Sequence, residues 1–379
     1  MYPRTITAQI TEALKQYQVV TLLGPRQSGK TTLAKTLGAT FRYVNLEDMG
    51  QREIISQDPK GFFSSINSDV IIDEVQRLPE ILSYLQVFTD QENYLHRFVL
   101  TGSNSLELSG QVSQSLAGRT RIFNILPLTY NELPIEIRPQ TVDEALFKGL
   151  YPRIYHRELG PSGWLSDYIQ TYIQKDVRQI LNIENLHLFE KFLRLLAGRA
   201  GQLINFSALA GDVGTTMPTI KKWISVLEAS YVVHTLVPHH NNFNKRMTKA
   251  PKVYFWDTGI LVNLLRISDP SQLFTHPLRG QIFENWVINE KIKHCFNKGL
   301  RSPFYFWRDQ HGHEIDVIED RSDNLYPSEV KSSSTFHPDF VSGMEWFNKL
   351  QGKEGGEVIY GGEESFTFKG YKVTSWKNV

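Results

Sequence analysis

A glycine-rich run between residues 24 and 31 has the residue types and spacing that bind phosphate groups. It fits the pattern G-x-x-x-x-G-K-[ST], between an apolar predicted strand at 19–23 and a helix predicted to begin near Thr32. Glycines let backbone N–H groups close around phosphate oxygens, and the N-terminus of the following helix adds partial positive charge. We expect Lys30 to reach the β- and γ-phosphates of ATP and the Thr31 hydroxyl to hold Mg²⁺. The predicted nucleotide-binding residues are Gly24, Pro25, Arg26, Gln27, Ser28, Gly29, Lys30, Thr31 and Thr32.

Two further apolar runs end in polar residues of the kind that hydrolysis needs. The first ends in Asp73 and Glu74, where Asp73 is expected to bind the water shell of Mg²⁺ and Glu74 to polarise the attacking water. The second, residues 97–104, ends in Ser103 and Asn104. Open parallel sheets bind ligands at the carboxyl ends of their strands, so either residue can orient the water or the γ-phosphate. These runs predict ATP hydrolysis, with Lys30, Glu74 and Asn104 as catalytic residues.

Composition places the chain among globular proteins of several domains. It has 379 residues, of which 41% are hydrophobic and 21% charged, and it contains one cysteine, Cys295. A single cysteine excludes an internal disulfide framework and suits a reducing compartment. The sequence lacks an apolar run of about 18 residues and an apolar signal core near its start, so we expect a cytoplasmic protein without a membrane partner. A net charge of +1 requires any basic surface to be local.

The pattern of elements predicts four domains. Alternating strands and helices in residues 1–128 predict an α/β ATPase core, with a mostly parallel sheet covered on both faces. Residues 129–185 are predicted to form a helical lid over the nucleotide. Residues 186–256 are predicted to form a winged-helix domain, and residues 257–379 the C-terminal domain.

The winged-helix prediction depends on two short helices joined by a tight turn. Ser207 is expected to cap the first helix, Gly214 to end it, and Pro218 to lie in the first turn of the second. A strand follows, and no acidic residue occurs between Glu228 and Asp257. A basic patch that contacts DNA phosphates or the groove is therefore expected. Its residues are Lys221, Lys222, Lys245, Arg246, Lys249 and Lys252. The alternative is a winged helix that contacts protein or acts as a lid.

Three carboxylates and a lysine in the last hundred residues predict a second site. Asp316 lies on one predicted strand, Glu329 and Lys331 on the next, and Glu284 on a preceding helix. Residues two apart on a strand face the same side, so Glu329 and Lys331 should point together, with Asp316 beside them. Such a set can bind Mg²⁺ through its carboxylates and hydrolyse a phosphodiester. The alternative is an ion-pair cluster in a nuclease-derived domain that has lost cleavage. Nearby, the run Asp257-Thr258-Gly259 is interpreted as a turn.

The chain resembles, over nearly its whole length, the prokaryotic AAA-type ATPases of the AAA_14 group with a C-terminal DUF4143 region. The resemblance is carried by residues 24–31, 71–74, 100–103, 115–119, 254–259, 280–285, 314–317 and 329–331. It implies an AAA+-like core, a winged helix, a C-terminal fold similar to PD-(D/E)XK (restriction-endonuclease-like) nucleases, and a homo-oligomer or ring, such as a hexamer, that acts on DNA. The residue before Asp316 is Ile315, where that nuclease pattern has proline. The likeness also makes Arg119 a candidate arginine finger in a neighbouring subunit, the alternative being a surface arginine paired with an acid.

Three functions follow from these expectations. The leading hypothesis is an oligomeric, Mg²⁺-dependent ATPase that binds DNA, including forked or branched DNA, and remodels it. The second is an ATP-regulated DNA nuclease that uses the C-terminal carboxylates. The third is a nucleotide-dependent switch that binds a protein partner through the winged helix.

Overall fold

The structure is a computed structural model of the chain. It describes residues 2–91, 95–103, 116–156, 160–177, 185–239, 250–309, 311–322 and 324–379. The chain divides into two compact units. The first contains Met1–Leu128 with the short segments Ala229–Tyr231 and Phe296–Leu300, and the second contains the remainder.

A five-stranded sheet is the centre of the first unit. Its strands are β1 (Val19–Leu23), β2 (Arg42–Asn45), β3 (Val70–Asp73), β4 (Phe98–Gly102) and β5 (Thr120–Asn124). They lie in the order β2-β3-β4-β1-β5, and every pair is parallel. The helices are α1 (Thr7–Gln16), α2 (Lys30–Leu37), α3 (Met49–Gln57), α4 (Pro59–Ser64) and α5 (Ile81–Thr89).

Apolar side chains cover both faces of this sheet. Val19 and Leu23 of β1 belong to one buried cluster, and Val20 and Leu22 belong to another. Successive residues of a strand point to opposite faces, so the continuous apolar run of β1 fills two cores at once. The predicted α/β fold with a parallel, doubly covered sheet is confirmed.

The second unit begins with helices, and no strand lies among its described residues between 129 and 177. The α-helices there are α6 (Val142–Lys148), α7 (Pro152–His156) and α8 (Pro161–Tyr168), which continues into a π-helix at Ile169–Val177. Short 3-10 helices precede them at Tyr130–Glu132 and Ile135–Ile137. Aromatic contacts connect Tyr151, Trp164 and Tyr168, with ring centroids 4.9 to 5.4 Å apart.

Three helices and a hairpin follow. They are α9 (Leu186–Ala197), α10 (Phe206–Val213), α11 (Met217–Ala229), β6 (Val233–Leu236) and β7 (Lys252–Phe255), with β6 and β7 antiparallel. Asn205, not Ser207, caps α10, because its backbone is extended and its side chain accepts from the Ala208 N–H at 3.0 Å. Gly214 ends that helix in the left-handed conformation with φ 91°. The order helix, turn, helix and two-stranded wing is that of a winged helix.

A six-stranded mixed sheet forms the C-terminal part of the second unit. Its strands are β8 (Phe304–Arg308), β9 (Glu314–Asp320), β10 (Leu325–Lys331), β11 (Glu357–Tyr360), β12 (Phe366–Phe368) and β13 (Tyr371–Ser375). They lie in the order β12-β13-β11-β10-β9-β8. The neighbouring helices are α12 (Thr258–Leu264), α13 (Ser271–Phe274), α14 (Arg279–Asn297) and α15 (Ser342–Gln351).

The run Asp257-Thr258-Gly259 opens helix α12. The buried Asp257 carboxylate accepts from the Ile260 N–H at 3.3 Å as the N-cap, and from the Leu150 N–H at 2.7 Å. Its role is therefore structural.

None of the helices in the described part of the chain is both long enough and apolar enough to cross a bilayer.

Candidate nucleotide-binding and nuclease-like sites

The glycine-rich run forms the loop between β1 and α2. A Cβ on Gly24 would lie 2.1 Å from the Ile125 carbonyl oxygen, so only glycine lets the loop leave the sheet this closely. Gly29 is the N-cap of α2 with φ 97°, and no side chain caps that helix. The first N–H groups of an α-helix have no partner within the helix, so those of α2 face the loop as anion-binding donors. All the predicted nucleotide-binding residues lie on this loop and the first turn of α2.

The Lys30 side chain lies inside the loop. It is 5% exposed, and its Nζ donates to the carbonyl oxygens of Gly24 at 3.0 Å and Pro25 at 2.8 Å. Burial lowers the pKa of Lys30 to about 8, against the opposing effect of Glu74 and Asp73. The lysine is placed at the phosphate-binding loop, in surroundings that disfavour its charge until an anion arrives.

Asp73, the last residue of β3, is fixed by hydroxyl donors from neighbouring elements. Thr31 Oγ1 lies 2.9 Å from its Oδ1, Tyr43 donates to its Oδ2 at 2.7 Å, and Thr101 also donates to Oδ1. The predicted Mg²⁺ pair, Thr31 and Asp73, is therefore in direct contact. Tyr43 and Thr101 were not predicted, although both lie on strands that flank β3 in the sheet.

Glu74 follows in the left-handed conformation, with φ 56°. The Glu74 N–H donates to Thr101 Oγ1 at 3.1 Å, and this hydrogen bond holds the backbone of Glu74 at the end of β3. Ser103 Oγ donates to Glu74 Oε2 at 3.1 Å, and Gln76 contacts both groups. A non-glycine residue at positive φ is strained, and such strain is common where a side chain must be aimed. Ser103 fills the predicted polar position, whereas Asn104 lies outside the described residues.

These donors fit ATP and Mg²⁺. Among the described residues, the buried Ser28 hydroxyl has no hydrogen-bond partner within the loop. The uncapped N-terminus of α2 and Lys30 suit phosphate oxygens, and the hard oxygen ligands of Thr31 and Asp73 suit Mg²⁺.

Arg119 lies just before β5 and pairs with an acid of the same chain. Its Nε and Nη2 donate to the Asp90 carboxylate at 2.6 and 2.9 Å. Both side chains are at the surface, with exposed fractions of 33% and 46%. This is the contact expected of a surface arginine, and the role across a subunit interface stays a prediction.

The predicted basic patch divides in the structure. Lys221 and Lys222 are exposed on α11, whose Trp223, Ile224 and Leu227 are buried. Lys252 is not part of any exposed patch: it is 3% exposed and paired with carboxylates. Its assignment as a DNA contact is therefore wrong. Three further members, Lys245, Arg246 and Lys249, lie outside the described residues.

The C-terminal set comes together as strand alternation predicts. Asp316 on β9 accepts from the Val330 N–H of β10 at 2.9 Å. Lys331 Nζ lies 2.6 Å from Glu329 Oε2 and 3.9 Å from Asp316 Oδ2. Glu284 on α14 is near enough that Asp316 influences its ionisation. Burial and Asp316 raise the pKa of Glu284 to about 7, and the same two causes raise the pKa of Glu329 to about 8.

A second lysine, Lys252, enters this cluster from β7. Its Nζ lies 3.0 Å from Glu284 Oε1 and 2.6 Å from Glu314 Oε1. The Tyr254 hydroxyl donates to the same oxygen of Glu284 at 2.6 Å. Lys252, Glu284 and Glu314 border a cavity of about 420 Å³. Its other lining residues are Gly201, Gln202, Leu203, Gln281 and Arg308.

The assignment of Glu284, Asp316 and Glu329 as metal ligands stays a prediction. Within the described ranges, no three acidic, histidine or cysteine side chains are placed to hold a metal ion. The physical reason is that lysine ammonium groups contact Glu284 and Glu329 directly.

Three domain families match consecutive parts of the chain. The AAA domain (AAA_14) matches residues 16–134, a domain of unknown function (DUF8612) matches 139–271, and another (DUF4143) matches 279–379. A Mycobacterium tuberculosis relative described as "Uncharacterized protein" is 30% identical over 339 residues, 88% of this chain and 74% of the relative. The chain belongs to the AAA-type ATPases with a C-terminal DUF4143 region. It is a P-loop ATPase of the AAA type.

Other proteins are similar over parts of the chain. A Haemophilus influenzae protein, also described as uncharacterised, is 23% identical over 207 residues, half of each chain. The Walker-type ATPase of Pyrococcus abyssi has a TM-score of 0.43 and 14% identity, covering 69% of this chain and 95% of its own. A variant of Thermotoga maritima RuvB has a TM-score of 0.31 and 19% identity, covering 60% of this chain and 86% of its own.

Proposed function

We propose that this AAA-type ATPase hydrolyses ATP with Mg²⁺ as a homo-oligomer and uses the turnover to bind and remodel DNA. The observation that carries the hydrolysis is the contact of Thr31 with Asp73 beside a Glu74 aimed by Thr101 and Ser103. A nucleotide-binding module without turnover would not need the second carboxylate to be held this way.

The residues of the nucleotide site each have a defined role in this proposal. The N–H groups at the start of α2 and the Lys30 ammonium bind the phosphates. Thr31 and Asp73 would hold Mg²⁺, which neutralises charge on the phosphates when bound. Glu74 orients water and accepts its proton, while Ser103 and Gln76 fix the direction of its carboxylate.

The DNA part of the proposal is supported by α11, the second helix of the helix-turn-helix. Its buried residues face the core, and its exposed face carries Lys221 and Lys222. In helix-turn-helix proteins the second helix enters the major groove, and lysines beside it contact phosphates.

The oligomeric part is supported by the exposed pair of Arg119 and Asp90. Surface ion pairs contribute little stability, because water and salt screen them. Arg119 could therefore exchange Asp90 for a neighbouring subunit's nucleotide at small cost.

An ATPase assay with and without DNA tests this function. We expect duplex, single-stranded or forked DNA to stimulate turnover, and Lys221→Glu/Lys222→Glu to lose the stimulation while keeping basal activity. A plot of the logarithm of the binding constant for duplex DNA against the logarithm of salt concentration becomes shallower by ~0.9 for each lost phosphate contact. The double variant should therefore reduce the magnitude of this slope by ~1.8. Lys349→Glu/Lys353→Glu is the matched control, since both lysines are exposed in the same unit and the charge change is equal. If no DNA binds and none stimulates turnover, the DNA proposal fails.

DNA cleavage is a second candidate, favoured by the contact of Asp316, Glu329 and Lys331 on adjacent strands. Incubation of labelled DNA with Mg²⁺ or Mn²⁺ tests it, with Asp316→Asn as the control. Products that form equally with the control would come from a contaminant and would exclude this candidate.

A further inference from the structure

Lys252 is the most deeply buried cation of the C-terminal cluster. It opens strand β7, is 3% exposed, and contacts Glu284 at 3.0 Å and Glu314 at 2.6 Å. Lysine is almost never fully buried unless it is paired, so this ammonium is retained by the two carboxylates.

Tyr254 strengthens the contact from the same strand. Residues two apart on a strand point to the same side, so Lys252 and Tyr254 both face α14. Both donate to one atom, Oε1 of Glu284, at 3.0 and 2.6 Å. That oxygen therefore has both of its acceptor positions filled by protein.

Three protein cations contact the four carboxylates of the cluster. Lys252 forms ion pairs with Glu284 and Glu314. Lys331 lies 2.6 Å from Glu329 and 3.9 Å from Asp316. Arg308 adds a third cation at 3.3 Å from Glu314. A divalent cation at Glu284 would have to enter beside a buried ammonium, and like charges at such distances repel strongly where water is excluded.

We propose that the Lys252 ammonium is a built-in cation of the nuclease-like centre. It pairs with the Glu284 carboxylate and keeps divalent metal ions from binding there while β7 is in place. The centre then differs from a metal-loaded nuclease site in its cation rather than in its carboxylates. The inference does not depend on ATP hydrolysis. It sets a condition on cleavage, because Lys252 must withdraw from Glu284 before a metal ion can bind there.

The test measures Mn²⁺ binding to the nucleotide-free full-length chain. Electron paramagnetic resonance reports the concentration of free Mn²⁺, and thermal melting reports the stability of the protein. The parent protein should bind no Mn²⁺ through Glu284. Lys252→Met leaves the largely buried Glu284 without its cation and Glu314 with Arg308 alone, so the melting temperature should fall by roughly 10 °C. This variant should gain one Mn²⁺ per chain, and Mn²⁺ should restore part of the lost melting temperature.

Further variants assign the effect. Lys252→Met/Glu284→Gln should bind no additional Mn²⁺ and should melt higher than Lys252→Met, since one unpaired charge is gone. Lys252→Arg keeps the cation and should behave as the parent does. If Lys252→Met does not fold, Lys252→Gln replaces it, because its amide can still donate to Glu284. Parent protein that binds Mn²⁺ through Glu284, or a neutral variant that gains none, would overturn the proposal.

Discussion

Binding of ATP should draw a proton into the P-loop, because of where Lys30 lies. Its ammonium is buried among loop carbonyls, and burial lowers its pKa to about 8. The β- and γ-phosphates bring negative charge to the same place and favour the protonated lysine. A lysine that is partly neutral before binding and fully charged afterwards must take up the difference from solvent.

The size of the uptake follows from the pKa. A group with a pKa near 8 that becomes fully protonated on binding takes up about 0.1 proton at pH 7, about 0.5 at pH 8 and about 0.9 at pH 9. Because the bound state needs the protonated lysine, affinity for ATP should fall as pH rises above 8, approaching a tenfold loss per pH unit. A surface lysine with an ordinary pKa near 10.4 would show neither effect in this range.

Isothermal titration calorimetry in buffers of different ionisation enthalpy measures the uptake directly. Lys35→Met is the matched control, because Lys35 is an exposed lysine of the same helix α2 and stacks on the Tyr43 ring. It should leave the proton uptake unchanged, whereas Lys30→Met should remove it together with most of the affinity. Uptake that stays near zero from pH 7 to pH 9 in the parent would refute a desolvated Lys30.

Two further predictions concern the catalytic residues. Glu74→Gln should keep ATP affinity, since Thr31 and Asp73 are untouched, while steady-state turnover falls by roughly 10²–10⁴-fold; hydrolysis at the parent rate would exclude Glu74 as the catalytic carboxylate. Arg119→Ala should lower turnover by ~10³-fold if it acts as an arginine finger, and Asp90→Asn, which releases the arginine, should not. Mixing Arg119→Ala with Lys30→Ala should then restore some activity, and a mixture no more active than its parts would place Arg119 outside the neighbouring site.

The nucleotide site was predictable because its chemistry is local. Lys30 and Thr31 are adjacent, and eight consecutive residues specify the loop and the start of α2. Tyr43 and Thr101 were missed because they reach Asp73 only through the strand order β2-β3-β4, which no short stretch of sequence encodes. Only Thr101 carried a local signal, as a hydroxyl residue near the carboxyl end of a predicted strand.

Helix capping shows a smaller limit of the same kind. Asn205 and Ser207 are both good N-cap residues, and they are two positions apart. The structure decides between them by backbone conformation, since Asn205 has φ −93° and ψ 95° outside the helix. Sequence therefore predicted the helix and its Gly214 terminus but not its first residue.

Lys252 shows why a count of charges along the chain can mislead. The window from Glu228 to Asp257 lacks acids, so its lysines suggested a basic surface, yet the partners of Lys252 are Glu284 and Glu314, at least 32 residues away. The available clue was its position in a strand with Val253, Tyr254 and Phe255, all buried.

The two roles of Lys252 separate experimentally. As a phosphate contact, its replacement by methionine would lower the salt slope of DNA binding by ~0.9 and leave melting unchanged. As an internal cation, the same replacement should leave the slope unchanged and lower the melting temperature. The structure requires the second result, because an ammonium enclosed by Glu284 and Glu314 cannot reach a phosphate without first leaving both carboxylates.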